Sequence, residues 1–271
     1  MARGNVAAAS KELPMPINLA SGLRERSRKE ELAFDHPGHF QEYVFKHELP
    51  NFMWEVYEII LDGYKNPQGE NNPALILAPR SHTKTTVGEA TILWRIGKNP
   101  LELCQEICGV SKKASERLLK IASCIRENER YIGMFGNLYP NDPDFKWNSE
   151  EIEVKRDRGR TWAEGNAERD PTCAAYGIDS SIEGGRATVQ VFDDIVTRAN
   201  ASSTVQRTSV RTAFWMSFDP MLLPEGQQII FGTRYHYADL YSELIPIFDH
   251  DKYYTELYSG ISTDEALEEE E

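Results

Sequence analysis

A lysine and a threonine that follow a short apolar run are the residues of this sequence best placed to bind phosphate. The apolar run covers residues 74–78, Pro79 ends it, and a polar loop leads to Lys84 and Thr85, where a helical pattern begins. A buried strand, a tight loop and a helix N-terminus in this order are typical of a phosphate-binding loop. The order of segments therefore predicts such a loop, with Lys84 as the cation for a β/γ-phosphate.

The loop departs from the usual G-x-x-x-x-G-K-[ST] pattern, because Ala78 and Thr83 occupy its two glycine positions. A loop glycine often has a positive φ or lets phosphate approach the backbone closely. Thr83 in the same conformation would carry about 1–3 kcal/mol of strain. We therefore expect either a different loop conformation or weaker nucleotide binding, and we interpret His82 as a loop residue rather than a catalyst.

Two adjacent aspartates, Asp193 and Asp194, follow the β-branched run 188–192. A hydroxyl and a carboxylate suit Mg²⁺, so Thr85 and Asp193 are its candidate ligands, directly or through water. Neighbouring residues at a strand end face different ways, which leaves Asp194 to position an attacking water. The alternative is that the pair only caps a helix or forms a turn. The presence of the predicted loop at Lys84 in the same chain argues against this alternative.

A third polar strand end lies at 228–233, where an apolar run gives way to Thr233 and Arg234. In open parallel sheets, ligands bind at the carboxyl ends of the strands. Three separate segments that each carry reactive groups at such an end predict one shared site.

The elements that must hold these residues alternate along the chain. Helical spacing occurs twice within 40–61, with Pro50 beginning the second helix, and again in 84–97, 111–125 and 199–215. Strand patterns are 74–78, 171–178, 188–192 and 228–233, with 101–110 either a strand or a helix, and Ser111 a good N-cap for the helix after it. Alternating strands and helices predict an α/β fold with a mainly parallel sheet flanked by helices on both faces.

Composition restricts the function further. The net charge of -13 argues against a simple basic nucleic-acid binder, although a local patch can still grip DNA. Four cysteines without zinc spacing indicate reduced thiols, and no apolar run approaches the roughly 18 residues of a membrane span. We expect a soluble intracellular protein with a polar arm over 1–35 that is flexible or helical, and one domain over 36–250. Residues 251–271 are either an acidic tail or the start of a linker.

The chain resembles the large terminase subunit of tailed bacteriophages over about residues 36–245. The motifs that carry this resemblance, in order, are Leu-Pro-Asn-Phe at 49–52, Ala-Pro-Arg-Ser-His-Thr-Lys-Thr at 78–85, Val-Phe-Asp-Asp-Ile-Val at 191–196 and Phe-Gly-Thr-Arg-Tyr-His-Tyr-Ala-Asp-Leu at 231–240. The resemblance implies a P-loop NTPase of the additional-strand, catalytic-carboxylate type. It implies a Mg²⁺-dependent ATPase that converts ATP to ADP and phosphate and drives double-stranded DNA into a procapsid.

The resemblance also implies a role for each matching residue. Asp193 would be the Walker B carboxylate, Asp194 the catalytic one, and Thr233 the head of the coupling motif, while Arg80 would reach the γ-phosphate. The implied nucleotide-binding residues are Pro79, Arg80, Ser81, His82, Thr83, Lys84, Thr85 and Thr86, with Pro50 and Phe52 near the adenine. The implied partners are a portal protein, a small terminase subunit and further copies of the chain in a ring, with no membrane, in the host cell cytoplasm.

Two features depart from the family pattern. Glu183 stands where some relatives carry the arginine that acts on a neighbouring subunit, so Arg186 is the nearest alternative, and Arg158 or Arg160 the next. The chain leaves no room for the family's nuclease domain, so we expect no nuclease activity. Competing hypotheses are a helicase-like or DNA-remodelling ATPase and a catalytically weak structural P-loop module.

Overall fold

The computed structural model of the chain describes residues 27–69, 72–79, 82–156, 170–180, 182 and 184–247. The expected acidic tail over 251–271 and residues 1–26 of the expected arm lie outside the described residues. The end of the arm is a helix, in which Ser27 and Glu30 form a reciprocal capping box.

Six strands form one sheet, in the order β1-β6-β5-β2-β4-β3. Their bounds are β1 Ala74–Leu77, β2 Cys104–Cys108, β3 Glu151–Ile152, β4 Cys173–Gly177, β5 Ala187–Asp193 and β6 Leu222–Gly232. Neighbouring strands are parallel, except that the short edge strand β3 is antiparallel to β4. The predicted α/β fold with a mainly parallel sheet is confirmed, and the helical alternative for 101–110 is wrong.

Nine α-helices accompany the sheet in the described part of the chain. Their bounds are α1 Arg28–Asp35, α2 Pro37–Phe45, α3 Asn51–Lys65, α4 Lys84–Lys98, α5 Ser111–Glu127, α6 Glu129–Phe135, α7 Arg198–Ala201, α8 Thr204–Ala213 and α9 Leu240–Ile247. The predicted helices are confirmed, whereas α6, α9 and β3 were not predicted. The prediction that Ser111 is the N-cap of α5 is wrong. Val110 occupies the N-cap position, and Ser111 is the first helical residue.

Helices cover both faces of the sheet. Alternate residues of a strand point to opposite faces, so each strand contributes apolar side chains to two cores. Ile76, Val191 and Phe231 belong to the larger core, with α2 to α6. Phe192 and Ile230 belong to a second core, with the helices that follow β5 and β6. The predicted two-sided packing is therefore confirmed.

The strand register brings the predicted functional segments to one edge. Leu77 is paired with Gly232, while Asp193 is paired with Phe231 on one side and Cys108 on the other. The carboxyl ends of β1, β6, β5 and β2 therefore lie side by side, with β6 between β1 and β5.

Two glycines allow close packing at this edge. A Cβ on Gly88 of α4 would lie 2.9 Å from Val191 Cγ1, so the absence of a side chain lets the helix after the loop rest on β5. A Cβ on Gly109 would lie 2.7 Å from the carbonyl oxygen of Asp194. A real Cβ at these distances would force the Val191 side chain or the Asp194 backbone to move, so both glycines allow close packing around the aspartate pair.

All four cysteines are free thiols, as predicted, and three of them are buried. Among the described residues, no helix is long and apolar enough to cross a membrane.

Candidate phosphate and metal site

Thr83 has the left-handed conformation that a glycine favours, with φ 57° and ψ 9°. It is the N-cap of α4, but its side chain makes no capping hydrogen bond. Its Oγ1 is buried without a hydrogen-bond partner among the described residues. Thr83 therefore adopts the strained positive-φ conformation that was considered from the sequence.

Lys84 is buried and points back into its own loop. Its Nζ donates to the carbonyl oxygen of Ala78 at 2.5 Å, to that of Pro79 at 2.8 Å and to Thr233 Oγ1 at 3.0 Å. Thr233 Oγ1 in turn donates to the Ala78 carbonyl at 3.0 Å. The loop lysine and the end of β6 therefore converge, as predicted. The acceptors in these three hydrogen bonds are two carbonyl oxygens and one hydroxyl.

Thr85 and Asp193 meet through a residue that the sequence analysis did not single out, Arg117 of α5. Arg117 Nη2 donates to Thr85 Oγ1 at 3.3 Å, and its Nη1 lies 2.5 Å from Asp193 Oδ2. The Asp193 side chain is 1% exposed and that of Arg117 is 11% exposed. One buried guanidinium therefore joins the two predicted metal ligands.

A second carboxylate from the sheet, Glu106 of β2, binds the same guanidinium. Arg117 Nη1 donates to Glu106 Oε1 at 3.1 Å and to Cys108 Sγ at 2.8 Å. Glu106 Oε2 is buried with no hydrogen-bond partner among the described residues. The site therefore holds two buried carboxylates on one arginine.

Burial controls the acidity of both groups. It raises the pKa of Glu106 to about 8, although Arg117 acts in the opposite direction. Burial also raises the pKa of Asp193, opposed first by Arg117 and then by the Thr85 hydroxyl. The Arg117 charge thus favours the anionic form of Asp193, against the effect of burial.

Asp194 follows immediately and turns away from the strand. Its φ of 49° is positive, and its N–H donates to the Phe231 carbonyl of β6 at 3.0 Å. Its Oδ1 is buried without a hydrogen-bond partner among the described residues. The two neighbouring carboxylates therefore have different surroundings, as predicted.

Of the residues predicted to lie near the adenine, Phe52 lies beside the loop. The ring of Phe52, in the first turn of α3, is 5.7 Å from the ring of His82, measured between centroids. Pro50 is the N-cap of α3. Thr86, in the first turn of α4, lines a cavity of about 380 Å³ between α2, α4 and α5.

Arg186 does not reach this site in its own chain. It precedes β5, at the opposite end of the strand from Asp193, which is about 20 Å away at a rise of roughly 3.3 Å per residue. It forms an ion pair with Asp170, with 2.8 Å between Nε and Oδ2. Its expected role in a neighbouring subunit stays a prediction. Arg80, Ser81, Arg158, Arg160 and Glu183 lie outside the described residues.

A signal for Arg117 was present in the sequence. The apolar stripe of α5 contains Ala114, Leu118 and Ile121, and Arg117 lies on the same face. A charge within an apolar stripe requires a buried partner, since an unpaired charge there is costly. The sequence alone gives no means of finding that this partner is on β5.

The residues present suit Mg²⁺. A hydroxyl and a carboxylate are hard oxygen donors, and Mg²⁺ commonly takes one or two protein ligands with the rest from water and phosphate. The arginine between Thr85 and Asp193 indicates that this point accepts positive charge. No group of three or more His, Cys, Asp or Glu side chains that could hold a metal occurs among the described residues.

Comparison of the sequence with known protein families and with curated proteins finds no match.

Proposed function

We propose that the chain is a Mg²⁺-dependent ATPase domain of the terminase type. The observation that carries the proposal is the convergence of Thr85 and Asp193 on one cation position, at the carboxyl edge of a parallel sheet. Lys84 lies at the same edge of the sheet, because it precedes Thr85 in the first turn of α4. These are the residue types that a nucleoside triphosphate with Mg²⁺ requires.

The strand order supports the additional-strand type of P-loop NTPase. β6 is inserted between β1, which leads into the loop, and β5, which carries the aspartates. Thr233 at the end of β6 contacts both Lys84 and the carbonyl of Ala78. A movement of the loop would therefore alter the contacts of Thr233 at the end of β6, as a coupling segment requires.

Each residue has a distinct task in the proposed reaction. Lys84 binds the β/γ-phosphate oxygens once it leaves the Ala78 and Pro79 carbonyls, and the first turn of α4 supplies N–H groups. Thr85 and Asp193 hold Mg²⁺, which neutralises charge on the phosphates when bound. Asp194 orients the attacking water. Phe52 and His82 provide an aromatic wall for the base.

The larger role follows from the resemblance alone. It is the translocation of double-stranded DNA into a procapsid by a ring of these chains, with a portal protein and a small terminase subunit as partners. Arg80 and an arginine in trans, with Arg186 as the candidate, would complete the site.

A second candidate is a catalytically weak structural module. Two observations favour it: the strain at Thr83, and the hydrogen bonds that hold Lys84 on its own loop. A helicase-like or DNA-remodelling ATPase would share the site and differ only in its partners.

The deciding experiment measures ATP binding and hydrolysis with Mg²⁺ across protein concentration. Wild type is compared with Lys84→Ala and with the matched control Lys113→Ala, on the exposed first turn of α5. Hydrolysis that rises faster than linearly and disappears only in Lys84→Ala supports an assembled motor. Linear hydrolysis keeps the ATPase and removes the arginine in trans. An absence of both binding and hydrolysis supports the structural module.

A further inference from the structure

The cluster around Arg117 contains more negative groups than a structural ion pair needs. Asp193 and Glu106 come from adjacent strands, and both reach the same Nη1 atom, at 2.5 Å and 3.1 Å. Glu106 is 1% exposed and is not one of the predicted metal ligands. A buried guanidinium with two carboxyl partners has two places where its charge can be compensated.

Arg117 also contacts both predicted metal ligands. Its Nη2 binds Thr85 Oγ1 while its Nη1 lies against Asp193 Oδ2, so the guanidinium bridges them. A monovalent cation in this position competes with a divalent one, because both require the same carboxylate charge. The arginine therefore opposes metal binding for as long as it holds the charge of Asp193.

We propose that Arg117 is a positioning residue that bridges Thr85 and Asp193 in the nucleotide-free protein and shifts onto Glu106 when a divalent cation binds. This proposal rests on the proposed function, because it assigns a regulation of the same site. Glu106 is the carboxyl group that receives the guanidinium at this depth when Asp193 is released. Without it, the displaced guanidinium would be buried next to a dication with no partner.

The proposal predicts opposite effects from two neighbouring substitutions. Arg117→Gln removes the competing cation, so Mn²⁺ should bind about tenfold more tightly in the presence of ADP. Glu106→Gln keeps the shape but not the charge that receives Arg117, so Mn²⁺ should bind more weakly. A purely structural role predicts that both substitutions weaken binding together, by loosening the site.

The experiment is an electron paramagnetic resonance titration of free Mn²⁺ at pH 8, with the full chain and saturating ADP. Arg126→Gln, a charge change on the exposed end of α5, is the matched control and should leave the affinity unchanged. Circular dichroism checks that each variant is folded. If Arg117→Gln does not fold, the isosteric Glu106→Gln decides, since unchanged or tighter Mn²⁺ binding in that variant overturns the proposal.

The possible failures are distinguishable. If wild type binds no ADP, the proposed function is wrong, and the Arg117 proposal falls with it. If wild type binds ADP and Mn²⁺ but Arg117→Gln does not bind Mn²⁺ more tightly, only the Arg117 proposal is wrong. Tighter binding in Arg117→Gln together with weaker binding in Glu106→Gln supports it.

Discussion

Lys84 Nζ lies 3.0 Å from Thr233 Oγ1, which joins the phosphate-binding loop to the end of β6. The hydroxyl accepts from the ammonium while it donates to the Ala78 carbonyl at 3.0 Å. This small network places a residue of the proposed coupling segment on the group proposed to bind phosphate. Any movement of Lys84 away from its loop therefore breaks a contact with β6.

We expect Thr233→Val to reduce ATP turnover more than nucleotide affinity. The substitution keeps the side-chain shape and removes the hydroxyl, with a loss of about 1 kcal/mol in the free energy of unfolding. Thr233→Ser should restore both properties, because it returns the hydroxyl. Steady-state hydrolysis, nucleotide titration and urea denaturation provide the measurements, and a parallel loss of affinity and turnover would argue against a coupling role.

We expect Thr83→Gly to stabilise the protein by about 1–2 kcal/mol. Glycine relieves the strain of the positive φ and removes a buried hydroxyl that has no hydrogen-bond partner among the described residues. These gains exceed the entropic cost of a glycine. Thr83→Ala separates the two effects, since it removes the hydroxyl and keeps the Cβ. Urea denaturation of the three proteins tests the order; equal stability of the alanine and glycine variants would show that φ strain contributes nothing.

The two adjacent aspartates should give different defects. Asp193→Asn should abolish the effect of Mg²⁺ on nucleotide affinity, because the carboxylate proposed to hold the cation is lost. Asp194→Asn should bind nucleotide normally and hydrolyse about 100-fold more slowly. Asparagine tolerates the positive φ of this position, so the backbone should be kept. Calorimetry and single-turnover assays distinguish these outcomes, and identical defects would remove the division of roles.

The stability of wild type relative to Glu106→Gln should fall as the pH rises from about 5 to 8. The pKa of Glu106 in the folded protein is raised to about 8, above its value in the unfolded chain. At a pH between these two pKa values, Glu106 has released its proton in the unfolded state and retains it in the folded state. The free energy of unfolding therefore falls by up to about 1.4 kcal/mol per pH unit. The glutamine cannot titrate and lacks this contribution.

Urea denaturation at several pH values tests this prediction. Glu116→Gln, on the exposed face of α5, is the matched control, and its stability should run parallel to that of wild type. A constant difference between wild type and Glu106→Gln would mean that Glu106 stays ionised throughout this range.

The sequence by itself determined the local elements that carry the site. The apolar run before Pro79, the helical spacing after Lys84 and the β-branched run before Asp193 each depend on neighbouring residues, so the strand, helix and strand could be predicted. The strained conformation of Thr83 was also foreseeable, because the loop pattern assigns a glycine to that position.

Only the tertiary structure decided which side chains meet. The strand order that inserts β6 between β1 and β5 depends on crossover connections, and the bridge from Arg117 to Asp193 joins residues that are far apart in the chain. The position of Arg117 on the apolar face of α5 indicates a buried partner, but it does not identify Asp193 or Glu106 as that partner. Pairing of buried charges is a property of the packed sheet and helices, so no local pattern could specify it.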